Sequence, residues 1–83
     1  MYIKQNKKCA ITNLPISFLD KTASLDRISS SGGYTEDNVW WVHKDVNIMK
    51  NGYELGYFAH ICGLASKNLK QKDKHTNFVY GRN

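Results

Sequence analysis

Acidic residues are scarce in this 83-residue chain: seven Asp and Glu stand against twelve Lys and Arg, a formal net charge of +5. Such a balance attracts polyanions and adds a salt-dependent, sequence-independent contribution to binding. A phosphate backbone is the natural partner, although a basic surface also serves solubility alone. Cysteine is equally sparse. Cys9 and Cys62 are the only two; they lie far apart and form neither a CxxC pair nor a disulfide framework. Both are expected to be free thiols, with Cys62 acting as a small core residue of a helix. No apolar run approaches the roughly 20 residues that cross a bilayer, which argues against membrane insertion. The basic start, residues 1–8, lacks the apolar segment and small-residue cleavage site of a secretory signal, so a cytoplasmic location is expected. There is no internal repeat. Ser31, Gly32 and Gly33 lack both the spacing and the lysine of a phosphate-binding P-loop.

A chain of this length supports one core, and residues 1–83 are therefore read as a single domain. Within it, residues 9–16 (CAITNLPI) place the turn chemistry of Asn13 to Pro15 between two short apolar pieces, which predicts a small hairpin or knuckle. Residues 23–28 suit a strand, with Leu25 and Ile28 apolar. Residues 29–33, three serines and two glycines, break it with a loop whose glycines take positive φ or admit close backbone approach. The clearest strand is 38–43, where Val39, Trp40, Trp41 and Val42 are all β-branched or aromatic and the tryptophans are expected to anchor the core. The period changes at Lys44: Val46, Ile48 and Met49 suggest a short helix that Asn51-Gly52 stops. Leu55, Phe58, Ala59, Cys62, Ala65 and Leu69 then form one apolar stripe of an amphipathic helix over 53–70, a packing feature with no chemistry of its own. Gly56 and Gly63 weaken that helix and suggest close contacts. The tail, 70–83, starts polar and basic and ends in Phe78-Val79-Tyr80; a late strand, an arm that orders on nucleic acid and a frayed terminus are its three readings. The fold class is α+β.

Strand, glycine-bearing loop, strand and helix thus follow one another within about 30 residues, and this order organises the chemistry. Asp26 lies on the first strand; Asn47 and Lys50 lie three apart on one face of the helix. A hard divalent cation such as Mg²⁺ takes oxygen ligands and keeps several waters, so a carboxylate and an amide oxygen suffice when a substrate phosphate completes the shell. Taken singly, each residue has a plainer reading: Asp26 pairing with a nearby lysine, Asn47 exposed on a helix, Asn38 closing a turn.

At these residues the chain resembles the HNH endonuclease family, whose core is a ββα-metal unit. The resemblance is to phage-type members and is carried by 24–28 (SLDRI), Gly33-Tyr34, 38–43 (NVWWVH), Lys44-Asp45 and 47–50 (NIMK). It spans residues 9–65, with 9–16 similar to the family's leading knuckle and 54–64 to its trailing helix. The resemblance implies a divalent-metal-dependent DNA endonuclease holding one Mg²⁺ or Mn²⁺ on Asp26 and Asn47. It implies that Asn38 braces the loop of the catalytic unit and that Lys50, with Lys44 and Arg27, contacts nucleic-acid phosphate. Duplex or branched DNA is the implied substrate, RNA a further candidate, and a homodimer one way to cut both strands. For a phage-encoded chain the compartment is the cytoplasm of a bacterial host.

One position departs from the pattern. Where the family commonly has a histidine as general base, directly after the first ligand, this chain has Arg27, whose pKa above about 12 bars it from that role near neutral pH. Arg27 suits phosphate binding or stabilisation of developing charge instead. Water activation then passes to a metal-bound hydroxide, to His43 or to Tyr34. The departure also raises the alternative of a catalytically degenerate HNH-fold module that binds nucleic acid without cutting it, or of a phage interaction protein using the fold as a scaffold. Relatives often hold zinc with two CxxC pairs; the corresponding places here are Cys9, Thr12, His43 and Val46, too few ligands for a closed tetrahedral site. A packed, hydrogen-bonded His43 is as reasonable as a catalytic one. His60, His75 and a Cys9 nucleophile are weaker candidates.

Overall fold

The computed structural model describes residues 1–76. Its elements run β1 (Ala23–Arg27), a 3₁₀ turn (Glu36–Asn38), β2 (Val39–His43), α1 (Lys44–Lys50) and α2 (Leu55–Thr76), an α+β arrangement with one two-stranded sheet. The strands pair antiparallel, Ala23 opposite His43, Leu25 opposite Trp41 and Arg27 opposite Val39. Because side chains alternate across a strand, Ser24, Asp26, Trp40 and Val42 share one face, while Leu25, Arg27, Val39 and Trp41 share the other.

The predicted knuckle is present. Lys8 and Pro15 form an isolated antiparallel bridge, the Cys9 N–H donates to the Leu14 carbonyl at 2.7 Å, and Asn13 turns the chain at φ 66°. It docks on the outer edge of β2, where the Ala10 N–H donates to the Trp41 carbonyl at 3.0 Å. Gln5 extends that edge: its Oε1 accepts from the Trp41 N–H at 3.0 Å and its Nε2 donates to the Trp41 carbonyl at 2.8 Å. The Trp41 main-chain groups at this sheet edge are thereby satisfied without a third strand.

Cys9, Ile16, Val42, Val46 and Phe58 form the core, drawn from knuckle, sheet and both helices. Trp40 and Trp41 pack against it, half-buried, and Phe18 meets Trp41 edge-on at 4.7 Å between ring centroids. The knuckle, the hairpin and α1 therefore stand on one shared set of apolar contacts.

Four features differ from the sequence reading. On α1 the buried positions are Val46 and Lys50, whereas Ile48 and Met49 are exposed. The helix turns its lysine inward because the Asp26 carboxylate lies beneath it. On α2 the stripe is covered only at Leu55, Phe58 and Cys62; Ala59, Ala65 and Leu69 are exposed. A 22-residue helix is about 33 Å long, and among its described side chains the small core covers the first two turns only. The helix also continues to Thr76, six residues beyond the predicted end. The 78–80 piece of the tail lies outside the described residues. Among the described residues, no helix is long and apolar enough to cross a membrane. Gly56 and Gly63, suggested as points of close contact, stand in open space: a Cβ at either position would meet nothing within 4 Å.

Candidate functional site

The hairpin face that carries Ser24 and Asp26 lies against α1, and there the sequence-predicted residues meet. Asp26 is 4% exposed and Lys50 1%. The Lys50 Nζ donates to Asp26 Oδ1 at 3.2 Å and to the Arg27 carbonyl at 2.9 Å. The other carboxylate oxygen, Oδ2, accepts from the Trp40 indole Nε1 at 2.9 Å. Asp26 and Trp40 are direct cross-strand partners, so the indole sits beside the carboxylate by register. A buried carboxylate requires a counter-charge and donors for both oxygens, and both requirements are met within the chain.

Asn47 lies one turn before Lys50 on the same side of α1. Its Nδ2 donates to Ser24 Oγ at 2.6 Å and to the Leu25 carbonyl at 3.3 Å. Asp26, Asn47 and Lys50 are thus brought together, with Ser24 and Trp40 as partners that the sequence reading did not assign. The signal for both lay in strand alternation: Ser24 is two residues from Asp26, and Trp40 faces it across the hairpin.

Arg27 points to the opposite face. Its Nη1 donates to the Gly32 carbonyl at 3.0 Å, and its guanidinium lies over the Tyr34 ring, 5.3 Å from the centroid. Tyr34 itself is 68% exposed. Arginine and tyrosine therefore form a stacked pair at the loop, on the far side of the sheet from the Asp26 carboxylate.

Asn38 holds that loop closed. Its Oδ1 accepts from the Ser29 N–H at 3.0 Å, and its Nδ2 donates to the carbonyls of Ser29 at 3.1 Å and Gly33 at 2.9 Å. A Cβ at Gly32 would fall 2.6 Å from Asn38 Nδ2, so this position needs glycine for close approach. Gly33 has open space around it.

His43 caps α1: its Nδ1 accepts from the Asp45 N–H at 3.1 Å. The cap uses the lone pair of Nδ1, and Asp45 Oδ2 lies 3.8 Å from the same nitrogen. His43 lies three strand positions from Trp40, hence about 10 Å along the hairpin from the Asp26 pair. Lys44 is exposed and pairs with Asp45 Oδ1 at 3.1 Å, a surface contact of little energetic weight.

Of the four places equivalent to a zinc knuckle, Cys9 and Val46 are both in the core. The Thr12 N–H donates to Cys9 Sγ at 3.4 Å. Burial pushes the Cys9 thiol up, but hydrogen bonds from the Thr12 side chain and from the backbone at His43, Thr12 and Ile11 outweigh it and hold the thiol below its ordinary value. Cys9 and Cys62 are free thiols. Among the described residues, no group of three or more His, Cys, Asp and Glu side chains is gathered as a metal site.

The divalent cation implied by the resemblance can be tested against this geometry. A cation on Asp26 needs a carboxylate lone pair that faces free space. Here Oδ1 faces an ammonium and Oδ2 an indole N–H, and the Asn47 amide nitrogen is turned to Ser24. In this arrangement the residues do not fit the ion. A groove of about 260 Å³ lies elsewhere, between the end of α1 and α2, with Met49, Tyr53, Tyr57, Phe58 and Ile61 among its walls. It carries no carboxylate, imidazole or ammonium.

Comparison with protein-family models, with curated proteins and with solved structures finds no match.

Proposed function

We propose that this chain is a duplex-DNA-binding module built on an HNH-type ββα unit, binding phosphate through Arg27 at the rim of the 28–35 loop. The observation that carries this reading is the division of labour between neighbouring residues. Asp26 is committed to Lys50 and Trp40 inside the fold, while Arg27 carries its charge to the loop rim, where Tyr34 orients it. Among the described residues, Arg27 meets a hydrogen-bond acceptor through Nη1 alone, so further guanidinium N–H groups remain for a phosphate. The net charge of +5 supplies long-range attraction. Binding of a duplex oligonucleotide, followed by fluorescence anisotropy over a range of salt, tests the proposal. It predicts an affinity that falls linearly on a double-logarithmic salt plot; preference for single-stranded RNA, or no affinity at low salt, contradicts it.

A second reading, Mg²⁺- or Mn²⁺-dependent hydrolysis of DNA phosphodiester bonds, is favoured by one observation. Asp26 and Asn47, the two implied ligands, lie on facing elements, with Asn47 bonded to the carbonyl of Leu25, the residue before Asp26. That reading requires Lys50 to withdraw from Asp26. Nicking of supercoiled plasmid that EDTA abolishes and that Asp26→Ala lacks would establish it. Equal nicking by Asp26→Ala would remove it.

A further inference from the structure

Lysine rarely lies fully buried unless it is paired, and Lys50 is 1% exposed. Its ammonium is enclosed by a carboxylate oxygen of β1 and a main-chain carbonyl from the next residue, Asp26 Oδ1 at 3.2 Å and Arg27 O at 2.9 Å. Those are the oxygen donors a hard cation takes. The pair is also non-local: it spans 24 residues and joins α1 to the hairpin. Asn47, one turn earlier, closes the same junction through Ser24 and Leu25.

We infer that the Lys50 ammonium is the built-in cation of this site, standing in the place of a divalent ion and closing Asp26 to one. The site needs a positive charge between β1 and α1, and the chain supplies it covalently from the helix. A second cation on the same carboxylate would lie against the ammonium in a region from which water is excluded, where like charges repel far more strongly than at the surface. The fold is therefore independent of divalent metal, and removal of the ammonium alone uncovers a cation site of Asp26 and the Arg27 carbonyl. This inference stands on the Asp26 junction and not on DNA binding, so loss of one leaves the other intact.

The experiment uses the full chain and Mn²⁺ alone as the probe. Wild type, Lys50→Ala, Lys50→Met and Asp26→Asn/Lys50→Ala are melted in EDTA and in Mn²⁺, and uptake is read from loss of the free Mn²⁺ electron paramagnetic resonance signal. The expected result is a wild-type melting temperature unchanged between EDTA and Mn²⁺, with no uptake. Lys50→Ala should melt lower in EDTA, recover in Mn²⁺ and take up one ion per chain, and the double variant should take up none. Stoichiometric uptake by the wild type overturns the inference, as does absence of uptake by a Lys50 variant whose circular dichroism shows it folded. Should neither Lys50 variant fold, the wild type decides through its amide resonances under substoichiometric Mn²⁺. Selective broadening at residues 24–27 and 47 overturns the inference, and its absence supports it.

Discussion

Lys50 and Asp26 form an ion pair at 3.2 Å with side chains 1% and 4% exposed, and this contact fastens α1 to the hairpin. Two desolvated charges are costly to bury, and their mutual attraction repays the cost only when geometry is good and the remaining polar atoms are satisfied. Trp40 and the Arg27 carbonyl provide that satisfaction.

Breaking the pair from one side leaves the other charge buried alone. Asp26→Ala and Lys50→Ala are each expected to destabilise the fold by about 3–5 kcal/mol in metal-free buffer. Replacing both partners together, Asp26→Leu with Lys50→Met, should cost much less than the sum of the single losses, because no uncompensated charge remains. Urea denaturation of the wild type, Asp26→Leu, Lys50→Met and the double variant measures the coupling. A coupling energy near zero would mean that the pair does not fasten the helix.

The loop of residues 28–35 hangs on one amide. Asn38→Ala removes three hydrogen bonds to the Ser29 and Gly33 backbone, and some of those backbone groups would be left without partners, for an expected loss of about 1–3 kcal/mol. Gly32→Ala reaches the same amide from the other side, since its Cβ would fall 2.6 Å from Nδ2. A terminal amide yields easily when free, but this one is held by its three bonds. Both variants should accelerate hydrogen exchange at Ser29 while leaving the Cys9 and Val42 amides protected. Gly33→Ala, with open space around it, is the control.

How far the sequence carries is visible at these residues. The strands, the helix from Lys44 and its stop at Asn51 follow from β-branched runs, a change of period and turn chemistry, all of which act locally. The left-handed φ of 52° at Asn51 is the predicted stop in atomic form. The burial of the Lys50 ammonium has no such local signal. The residue's position one turn after Val46 sets it on the inward face, but its charge points it to solvent, and only the approach of Asp26 from 24 residues away lets the ammonium stay buried. The exposure of Ala59, Ala65 and Leu69 on α2 escapes a sequence reading for a related reason: an apolar stripe shows which face prefers burial, not whether a core of this size extends beneath it.

Cys9 gives a pH signature. Its folded thiol lies below the ordinary value of 9.0, so the folded state favours the thiolate more than the unfolded chain does. The linked stability is present above pH 9.0 and is lost as pH falls through the lowered folded value. In a Cys62→Ser background, the stability difference between Cys9 and Cys9→Ala chains should therefore widen as pH rises across that window. Guanidinium denaturation at neutral and alkaline pH measures it, and comparing the two chains cancels every other titrating group. A difference independent of pH contradicts the hydrogen-bonded thiol.

Arg27 separates the binding reading from a purely structural one. Among the described residues its guanidinium contributes a single hydrogen bond to the fold, to the Gly32 carbonyl, and it rests on an exposed ring. Arg27→Ala should therefore cost little stability, about 1 kcal/mol for a bond and a partly exposed cation–π contact. Its effect on DNA binding should be larger and of a distinctive kind. A guanidinium that neutralises one phosphate releases about one counterion, so its loss weakens binding to all duplex sequences alike and makes the log–log salt slope shallower by about one. Arg27→Lys keeps the charge but loses the planar stacking on Tyr34, and should retain the slope at reduced affinity. Tyr34→Leu removes the ring that orients the guanidinium and should lower affinity in the same way. If Arg27→Ala leaves both affinity and salt slope at wild-type values, the loop rim is not the phosphate-binding surface, whatever the rest of the molecule does.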